Sequence, residues 1–147
     1  MQTFVPYPDF AECAKVLDYR RLGKQRVEAF QIINALSRTS GGWVNHPATV
    51  MWRGYEPALK LYMNAMIEEW LNRGYRNEME YNIIEEDIVL PYWLGGVIHR
   101  THRAALLYKN PEHYNQFNWT ETPVIDYFWP KSQQDYYASF DNAGLPF

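Results

Sequence analysis

Apolar residues recur at intervals of three and four positions along three segments of the chain, and this period constrains the fold more than any other feature. Such spacing places the apolar side chains on one face of an α-helix. The segments cover residues 10–37, residues 57–73, and a stretch that begins at about 92 or 94 and ends at 108. The sequence therefore predicts an all-α fold in which these helices pack through their apolar faces.

The ends of these helices are marked by residues that suit helix caps. Asp9 is suited to the N-cap of the first helix, and Gly74 stands where a C-terminal cap belongs. A short helix is expected over 47–53, with a proline in its first turn. Asn110 and Pro111 are expected to end the last helix, because a residue before proline disfavours helical backbone.

The length of 147 residues suits a single domain, and a hydrophobic share of 47% is enough for one core. Residues 76–90 are rich in acidic side chains and are predicted to form a surface connection. Residues 114–147 are rich in aromatics and lack helical periodicity, except near 131–140. We therefore expect a compact single-domain helical bundle over 1–147, in which 114–147 form an irregular, aromatic-rich C-terminal arm that covers the helices.

The charge and cysteine content exclude several classes of protein. A formal net charge of −3 argues against nonspecific coating of nucleic acid, which needs many cation–phosphate contacts, but is compatible with a local basic face. A single cysteine, Cys13, excludes an intramolecular disulfide and a four-cysteine zinc site. No apolar run approaches the ~18 residues of a membrane span, and the start lacks the pattern of a secretion signal. We expect a cytoplasmic protein without a membrane partner.

Aromatic residues make up 17% of the chain, more than the core of a small domain requires. Under one interpretation these rings cover the helical core. Under the other, some of them form a platform for a flat ligand, since stacking of a base on an aromatic ring contributes ~1–3 kcal/mol. The rings that neighbour polar motifs are Trp43, Trp52, Tyr55 and Trp119.

The first polar motif places four cations within seven positions of the first predicted helix. Its candidate residues are Arg20, Arg21, Lys24, Gln25, Arg26 and Glu28. Side chains four apart share a helix face, so Arg20 and Lys24 can clamp a phosphate backbone. The structural alternative is a solvated face with Arg–Glu pairs. Gly23 costs this helix ~1 kcal/mol relative to alanine, which the close approach of a substrate or a neighbouring backbone would explain.

The second motif flanks the short helix expected over 47–53. Its candidate residues are Asn45, His46, Trp52, Arg53 and Tyr55. Asn and His side chains can bind a base edge or position a water molecule, and a junction between loop and helix leaves backbone N–H groups free. The structural alternative is a capping Asn beside a packed His.

The third motif lies on the last predicted helix and comprises His99, Arg100, His102 and Arg103. Their spacing makes these side chains neighbours, which favours the binding of an anion. Metal ligation by His99 and His102 is the weaker interpretation, because no Cys, Asp or Glu accompanies them at a recognised ligand spacing. We therefore expect neither a metal nor another cofactor.

Taken in chain order, these motifs resemble the pyrimidine-dimer DNA glycosylase family of the endonuclease V type, and most closely a bacterial and phage branch of it. The segments that carry the resemblance are Pro6–Phe10, Arg21–Glu28, Asn45–Pro47, Met51–Glu56 and His99–Leu106. In addition, Tyr19-Arg20 with Leu22 is similar to the family's catalytic-helix segment Tyr-Arg-Glu-Leu, and Trp70–Tyr75 resembles its helix end Leu-Lys-Arg-Gly-Phe. The resemblance covers roughly residues 1–120.

The resemblance implies a compact all-α domain that binds duplex DNA, kinks it and extrudes a nucleotide. It also implies that the N-terminal α-amine attacks the anomeric carbon of the sugar while a glutamate acts as acid or base. This sequence differs at two places. Arg21, or Arg20 if the alignment is shifted by one residue, occupies the position of the family's glutamate, so Glu28, or else Asp18, would have to replace it. The bulky Gln2 is expected to leave Met1 as the first residue.

Three functions from different classes are compatible with these observations. The first is a monomeric DNA-repair-type glycosylase, with or without AP-lyase activity, that acts on a damaged or modified base flipped out of duplex DNA. Its candidate catalytic residues are Glu28, Met1 and His46. The alternative is a non-catalytic module that binds a nucleotide-like ligand or modified base on the same scaffold. A metal-dependent hydrolase or transferase that uses His99 and His102 is a third hypothesis.

Overall fold

The computed structural model describes residues 1–132, and these residues contain helices and connections but no strand. The helices are α1 (Phe10–Val16), α2 (Tyr19–Leu36), α3 (Pro47–Val50), α4 (Glu56–Asn72), α5 (Ile98–Lys109) and α6 (Pro111–Tyr114), and a single 3-10 turn follows at Asn115–Phe117. The predicted all-α class is confirmed. None of the described helices is both long and apolar enough to cross a bilayer.

The apolar stripe over 10–37 forms two helices instead of the single one predicted. Leu17 leaves α1 with extended backbone, and Asp18 begins α2 by accepting a hydrogen bond from the backbone N–H of Arg21. An aspartate at this position satisfies one of the N–H groups that a helix start leaves free. Periodicity alone missed the break because the apolar spacing continues across it.

The last predicted helix also differs from the structure. It begins at Ile98, after a turn in which Gly95 has a φ of +87° and a Cβ on Gly96 would lie 3.2 Å from the carbonyl oxygen of Trp93. The chain becomes helical again at Pro111, where the sequence predicted only an end. Proline is favoured in the first turn of a helix, and the side chain of Asn110 caps this one.

The core forms where α2 and α1 both pack against α4. Its largest fully buried side chains include Trp52, Tyr62 and Tyr114. A Cβ on Gly23 would lie 3.0 Å from the ring of Trp70, so the close approach at this glycine is made by a side chain of α4. The sequence had predicted that a substrate or a neighbouring backbone, not a side chain, approaches Gly23.

Two extended segments complete the fold. Residues 2–6 run through the interior and are buried, although they belong to no helix. Residues 118–132 are irregular, and Trp119, Tyr127 and Trp129 in this part of the arm pack against the core. The remainder of the predicted arm, including most of the 131–140 stretch, lies outside the described residues.

Replacing Asp18 with alanine is expected to lower the free energy of unfolding by about 2–4 kcal/mol. The change removes the cap of α2, which contributes ~1 kcal/mol, and leaves the buried hydroxyl of Tyr114 without its acceptor, which costs about 1–3 kcal/mol. Urea unfolding measures the difference. Asp9→Ala is the matched control, because Asp9 caps α1 at an exposed site without a buried partner. Equal losses in the two variants would contradict the prediction.

Candidate active site

A cleft of about 510 Å³ opens where the N-terminal segment meets α2. We call it the basic cleft, and it is lined by Met1, Gln2, Phe4, Arg20, Arg21, Lys24, Gln25, Glu28, Lys109 and Tyr127. Within the described part of the chain, its lining combines four cationic side chains with one carboxylate. The basic cleft therefore concentrates positive charge in a protein whose net charge is −3.

The carboxylate of the basic cleft is Glu28. The side-chain Nε2 of Gln25 donates to Glu28 Oε2 at 2.9 Å and to the carbonyl oxygen of Gln2 at 2.9 Å. Gln25 thus connects the carboxylate to the residue that follows Met1. Met1 and Glu28 are both half-buried in the lining, so the first residue of the chain and a carboxylate border the same space.

Asp18, the other carboxylate considered from the sequence, is committed to the protein interior. It accepts hydrogen bonds from Tyr114 and Arg21 and does not line the basic cleft. Burial alone would raise the pKa of Asp18, but the hydrogen bonds from Tyr114 and Arg21 lower it below its ordinary value. Of the two carboxylates considered from the sequence, Glu28 lines the basic cleft and Asp18 does not.

The cations of the first motif are divided between the solvent and the protein. Arg20 and Lys24 are exposed and form no ion pair with another described residue, whereas Arg21 pairs with Asp18 at 3.1 Å. Arg26 points away from the basic cleft: its Nη1 donates to Asn77 at 2.6 Å, and its guanidinium lies over the ring of Trp70. Of these four, Arg20 and Lys24 are best placed to meet a phosphate.

His46 lies close to the N-terminus. Its Nδ1 accepts from the backbone N–H of Ala48 at 3.0 Å, so the neutral ring carries its proton on Nε2. Burial lowers the pKa of His46, and the α-ammonium of Met1 lowers it further. The ring contacts Trp43 and Trp129 at centroid distances of 5.2 and 6.0 Å. His46 is therefore a neutral donor beside the chain terminus.

The other residues of the second motif have different surroundings. Asn45 and Arg53 are exposed, and Arg53 holds the loop by donating to the carbonyl oxygen of Val44 at 2.7 Å. Trp52 and Tyr55 are buried in the core, contrary to the expectation of a surface platform. Both rings were expected near a ligand because they neighbour polar residues in sequence. The short helix expected over 47–53 ends at Val50, and in the turn after it both rings face inward.

Of the suspected rings, Trp43 is the one that remains available to a ligand. It is 46% exposed and has a φ of +72°, which a bulky residue rarely adopts. Trp119, by contrast, donates to the hydroxyl of Tyr7 at 2.8 Å and stacks on Tyr114.

A second hollow of about 580 Å³ shares Arg20, Lys24 and Glu28 with the basic cleft. Its aromatic wall consists of Tyr19 and Trp70, whose rings are stacked.

The histidines of the third motif bind the protein's own backbone. Nδ1 of His102 accepts from the N–H of Val5 at 2.9 Å. Nδ1 of His99 contacts the carbonyl oxygen of the same residue at 2.7 Å. Arg103 donates to the carbonyl oxygen of Pro6 and pairs with Glu121 through two hydrogen bonds. Only Arg100 is exposed. We therefore do not propose His99, His102 or Arg103 as contacts to an anion.

Ligand-type side chains do not gather into a metal centre in the described residues, where no group of three or more His, Cys, Asp or Glu is placed to hold an ion. Cys13 is buried, and burial raises the pKa of its thiol to about 12. The thiol is thus protonated at neutral pH and unsuited to nucleophilic attack.

Two residues of the basic cleft, Lys109 and Tyr127, were not among the sequence candidates. Lys109 lies in the last turn of α5, and Tyr127 lies in the arm. Burial raises the pKa of the Tyr127 hydroxyl. The nearby charge of Arg21 lowers this pKa, and the charge of Glu28 raises it. No sequence motif identifies either residue, because both reach the cleft through tertiary packing.

The stability of the protein is expected to fall as the pH drops from about 6.5. Burial, together with the neighbouring His99, lowers the pKa of His102 to about 3, whereas an unfolded histidine titrates near 6.5. The unfolded chain therefore binds the proton first, which lowers the free energy of unfolding by up to ~1.4 kcal/mol per pH unit. His46 and His99 also have lowered pKa values and add to the slope.

Urea unfolding between pH 6.5 and 4.5 measures this effect. His102→Asn keeps an acceptor for the N–H of Val5 but cannot be protonated. The free energy of unfolding of this variant is therefore expected to depend less steeply on pH, by the uptake of about one proton. An unchanged slope in this variant would contradict the assignment to His102.

Comparison with known proteins gives one match. A family model described as pyrimidine dimer DNA glycosylase matches residues 1–83, more than half of the chain. Searches of the curated proteins and of the solved structures found no significant match. The matched span contains the N-terminal segment and α1 to α4, and hence eight of the ten residues that line the basic cleft. The chain belongs to the pyrimidine dimer DNA glycosylase family.

Proposed function

We propose that this protein is a DNA glycosylase with AP-lyase activity, which acts on a damaged or modified base extruded from duplex DNA. The observation that carries the proposal is that Met1, whose α-amine we propose as the nucleophile, lines the basic cleft together with Glu28 and four cations. Family membership supports a glycosylase. The lyase chemistry and the roles of individual residues are the finer part of the proposal.

The cleft contains the groups that this reaction requires. The α-amine of Met1 attacks C1′ of the damaged nucleotide, the bond from C1′ to the base breaks, and the base leaves with the bonding electrons and a proton. The nitrogen lone pair then forms a double bond to C1′ as the C1′–O4′ bond breaks and O4′ takes up a proton, which opens the sugar and leaves a protonated imine between Met1 and C1′. This imine makes the C2′ proton acidic, and its removal expels the 3′ phosphate. Glu28 is the nearby carboxylate that can transfer these protons.

DNA binding would use the exposed cations and the aromatic side chains around the cleft. Arg20, Lys24 and Lys109 are exposed at its rim and suit phosphate contacts, which position a duplex without reading its sequence. A volume of about 510 Å³ falls within the usual range for small-ligand pockets and suits a single extruded nucleotide. The stacked wall of Tyr19 and Trp70 in the adjoining hollow, or the exposed ring of Trp43, would support the base.

His46 has a supporting role in this proposal. It is neutral, lies near the N-terminus and carries a proton on Nε2. A neutral donor beside the reacting amine can orient a water molecule or the sugar without repelling an ammonium group. We therefore retain His46 as a polar residue of the site, with Glu28 as the principal acid and base.

Borohydride trapping tests the proposal. The full-length protein is incubated with duplexes that contain a pyrimidine dimer or an abasic site, and borohydride reduces any imine to a stable amine. We expect a covalent adduct that mass spectrometry locates at the α-amine of Met1, and none with an undamaged duplex. Base release without an adduct would refute the amine nucleophile but not the glycosylase, whereas neither product on either duplex would refute both.

A second candidate is a binding module that recognises a nucleotide or modified base without cleaving it. One observation favours it: Arg21 stands where the resemblance places the catalytic glutamate, and its side chain is paired with Asp18. Binding of the damaged duplex at low salt, with no base release and no adduct, would select this candidate.

A further inference from the structure

The N-terminal segment is held in the interior by side chains, not by pairing with another strand. Gln25 accepts from the N–H of Phe4 at 2.8 Å and donates to the carbonyl oxygen of Gln2. The hydroxyl of Tyr62 is shared between the Phe4 carbonyl oxygen and Gln25, at 2.7 and 2.6 Å. Buried backbone groups must find such partners, because no water is available to them. Here each partner comes from a helix.

The next residue of the segment, Val5, is held at both of its polar groups. His102 accepts from its N–H, and His99 donates to its carbonyl oxygen. The donor role of His99 Nδ1 follows from its other nitrogen, which accepts from the N–H of Gly95 at 2.7 Å. His99 and His102, which lie one turn apart on α5, therefore hold the two peptide units that flank Val5.

The bonds reach into the basic cleft, whose lining includes Gln2, Phe4 and Gln25. The last residue held in this way is Gln2, whose carbonyl oxygen is bound by the same Gln25 nitrogen that binds Glu28. Met1 lies beyond it in the cleft lining. The position of the α-amine relative to Glu28 is therefore set by the bonds that hold residues 2–5.

From this arrangement we infer that His99, His102 and Gln25 are positioning residues, which hold the N-terminal segment so that Met1 lies in the same cleft as Glu28. The inference rests on the proposed function for its catalytic consequence. A displacement of about 1 Å at a reacting group can cost about 100-fold in rate. Loosening the segment thus slows imine formation more than it weakens duplex binding, since the exposed phosphate-binding cations do not hold the segment.

The test compares two substitutions at His102 in the full-length protein. His102→Leu removes the acceptor of the Val5 N–H, whereas His102→Asn retains one at the place of Nδ1. We expect His102→Leu to lower the rate of borohydride trapping at saturating abasic duplex by about 10- to 100-fold, with a duplex Kd within about twofold of wild type. His102→Asn is expected to recover most of that rate.

A second measurement does not depend on turnover. Acetylation of the Met1 α-amine by an N-hydroxysuccinimide ester, followed by mass spectrometry without DNA, reports how the amine is held. We expect a changed acetylation rate in His102→Leu and a near-native rate in His102→Asn. If wild type forms no adduct and releases no base but this pattern is found, the positioning role stands and the proposed function fails.

Asn64→Ala is the matched control for stability, because it removes three hydrogen bonds to Asn82 at a site outside the basic cleft. Trapping and acetylation are expected to be unchanged in it. If His102→Leu does not fold, Gln25→Glu replaces it, since this change keeps the acceptor for Phe4 and removes both donors. Unchanged trapping and acetylation in His102→Leu, or in Gln25→Glu where it replaces that variant, would overturn the inference, as would equal changes in Asn64→Ala.

Discussion

Replacing Glu28 with glutamine is expected to lower the kcat for strand cleavage at an abasic site by about 10²–10⁴-fold, the usual contribution of a general acid or base. Glutamine retains an oxygen that accepts from Gln25, so the geometry of the basic cleft is preserved. Duplex affinity should stay equal or rise slightly, because a negative charge leaves a cleft that also contains four cations. Single-turnover cleavage with excess protein separates kcat from binding.

The control for this prediction is Glu12→Gln, which removes one negative charge from an exposed site on α1. Its cleavage rate is expected to match that of wild type. A Glu28→Gln protein that cleaves at the wild-type rate would exclude Glu28 as acid or base. In that event the reacting carboxylate would have to come from residues outside the lining of the cleft, or water would take its place.

The double change Arg20→Ala and Lys24→Ala is expected to weaken duplex binding by about 10²-fold at low salt. Both side chains are exposed and unpaired among the described residues, so each is available to a phosphate. A charge-assisted hydrogen bond contributes about 1.5–3 kcal/mol, and two such bonds account for a loss of this size. The slope of log K against log salt should become shallower by about 2, because each phosphate contact contributes about 0.9.

The matched control removes two cations elsewhere. Lys15 and Arg76 are exposed and pair only with Glu12 and Glu78 at the surface. The variant with Lys15→Ala and Arg76→Ala therefore has the same net charge as the test variant. Titration of a labelled duplex at several salt concentrations compares them, and similar slopes in both would show that overall charge, not the basic cleft, governs binding.

The sequence predicted the helix ends well where the apolar periodicity stops next to a residue that suits a helix cap. Gly74, for example, follows the end of α4 with a φ of +87°, as expected of a residue that ends a helix. It failed at Asp18, where one apolar stripe continues across two helices. A hydrophobic period reports which face is buried, and it does not report whether the backbone is continuous.

The candidate site was predictable only where its residues are close in sequence. Arg20, Lys24 and Glu28 follow one another at helical spacing, and all three line the basic cleft. His99 and His102 also suggested a binding site, but their ligand is the backbone of Val5. A histidine's partner cannot be inferred from its own neighbours when that partner lies about a hundred positions away along the chain.

The bond between Val5 and His102 joins residues 97 positions apart, which has a consequence for protein synthesis. The N-terminal segment leaves the ribosome first, but its histidine partners are translated only when most of the chain exists. At about 5–20 residues per second, this interval lasts roughly 5–20 s. During it the α-amine has no fixed place beside Glu28. The nascent chain therefore carries its proposed nucleophile unassembled until α5 emerges and docks.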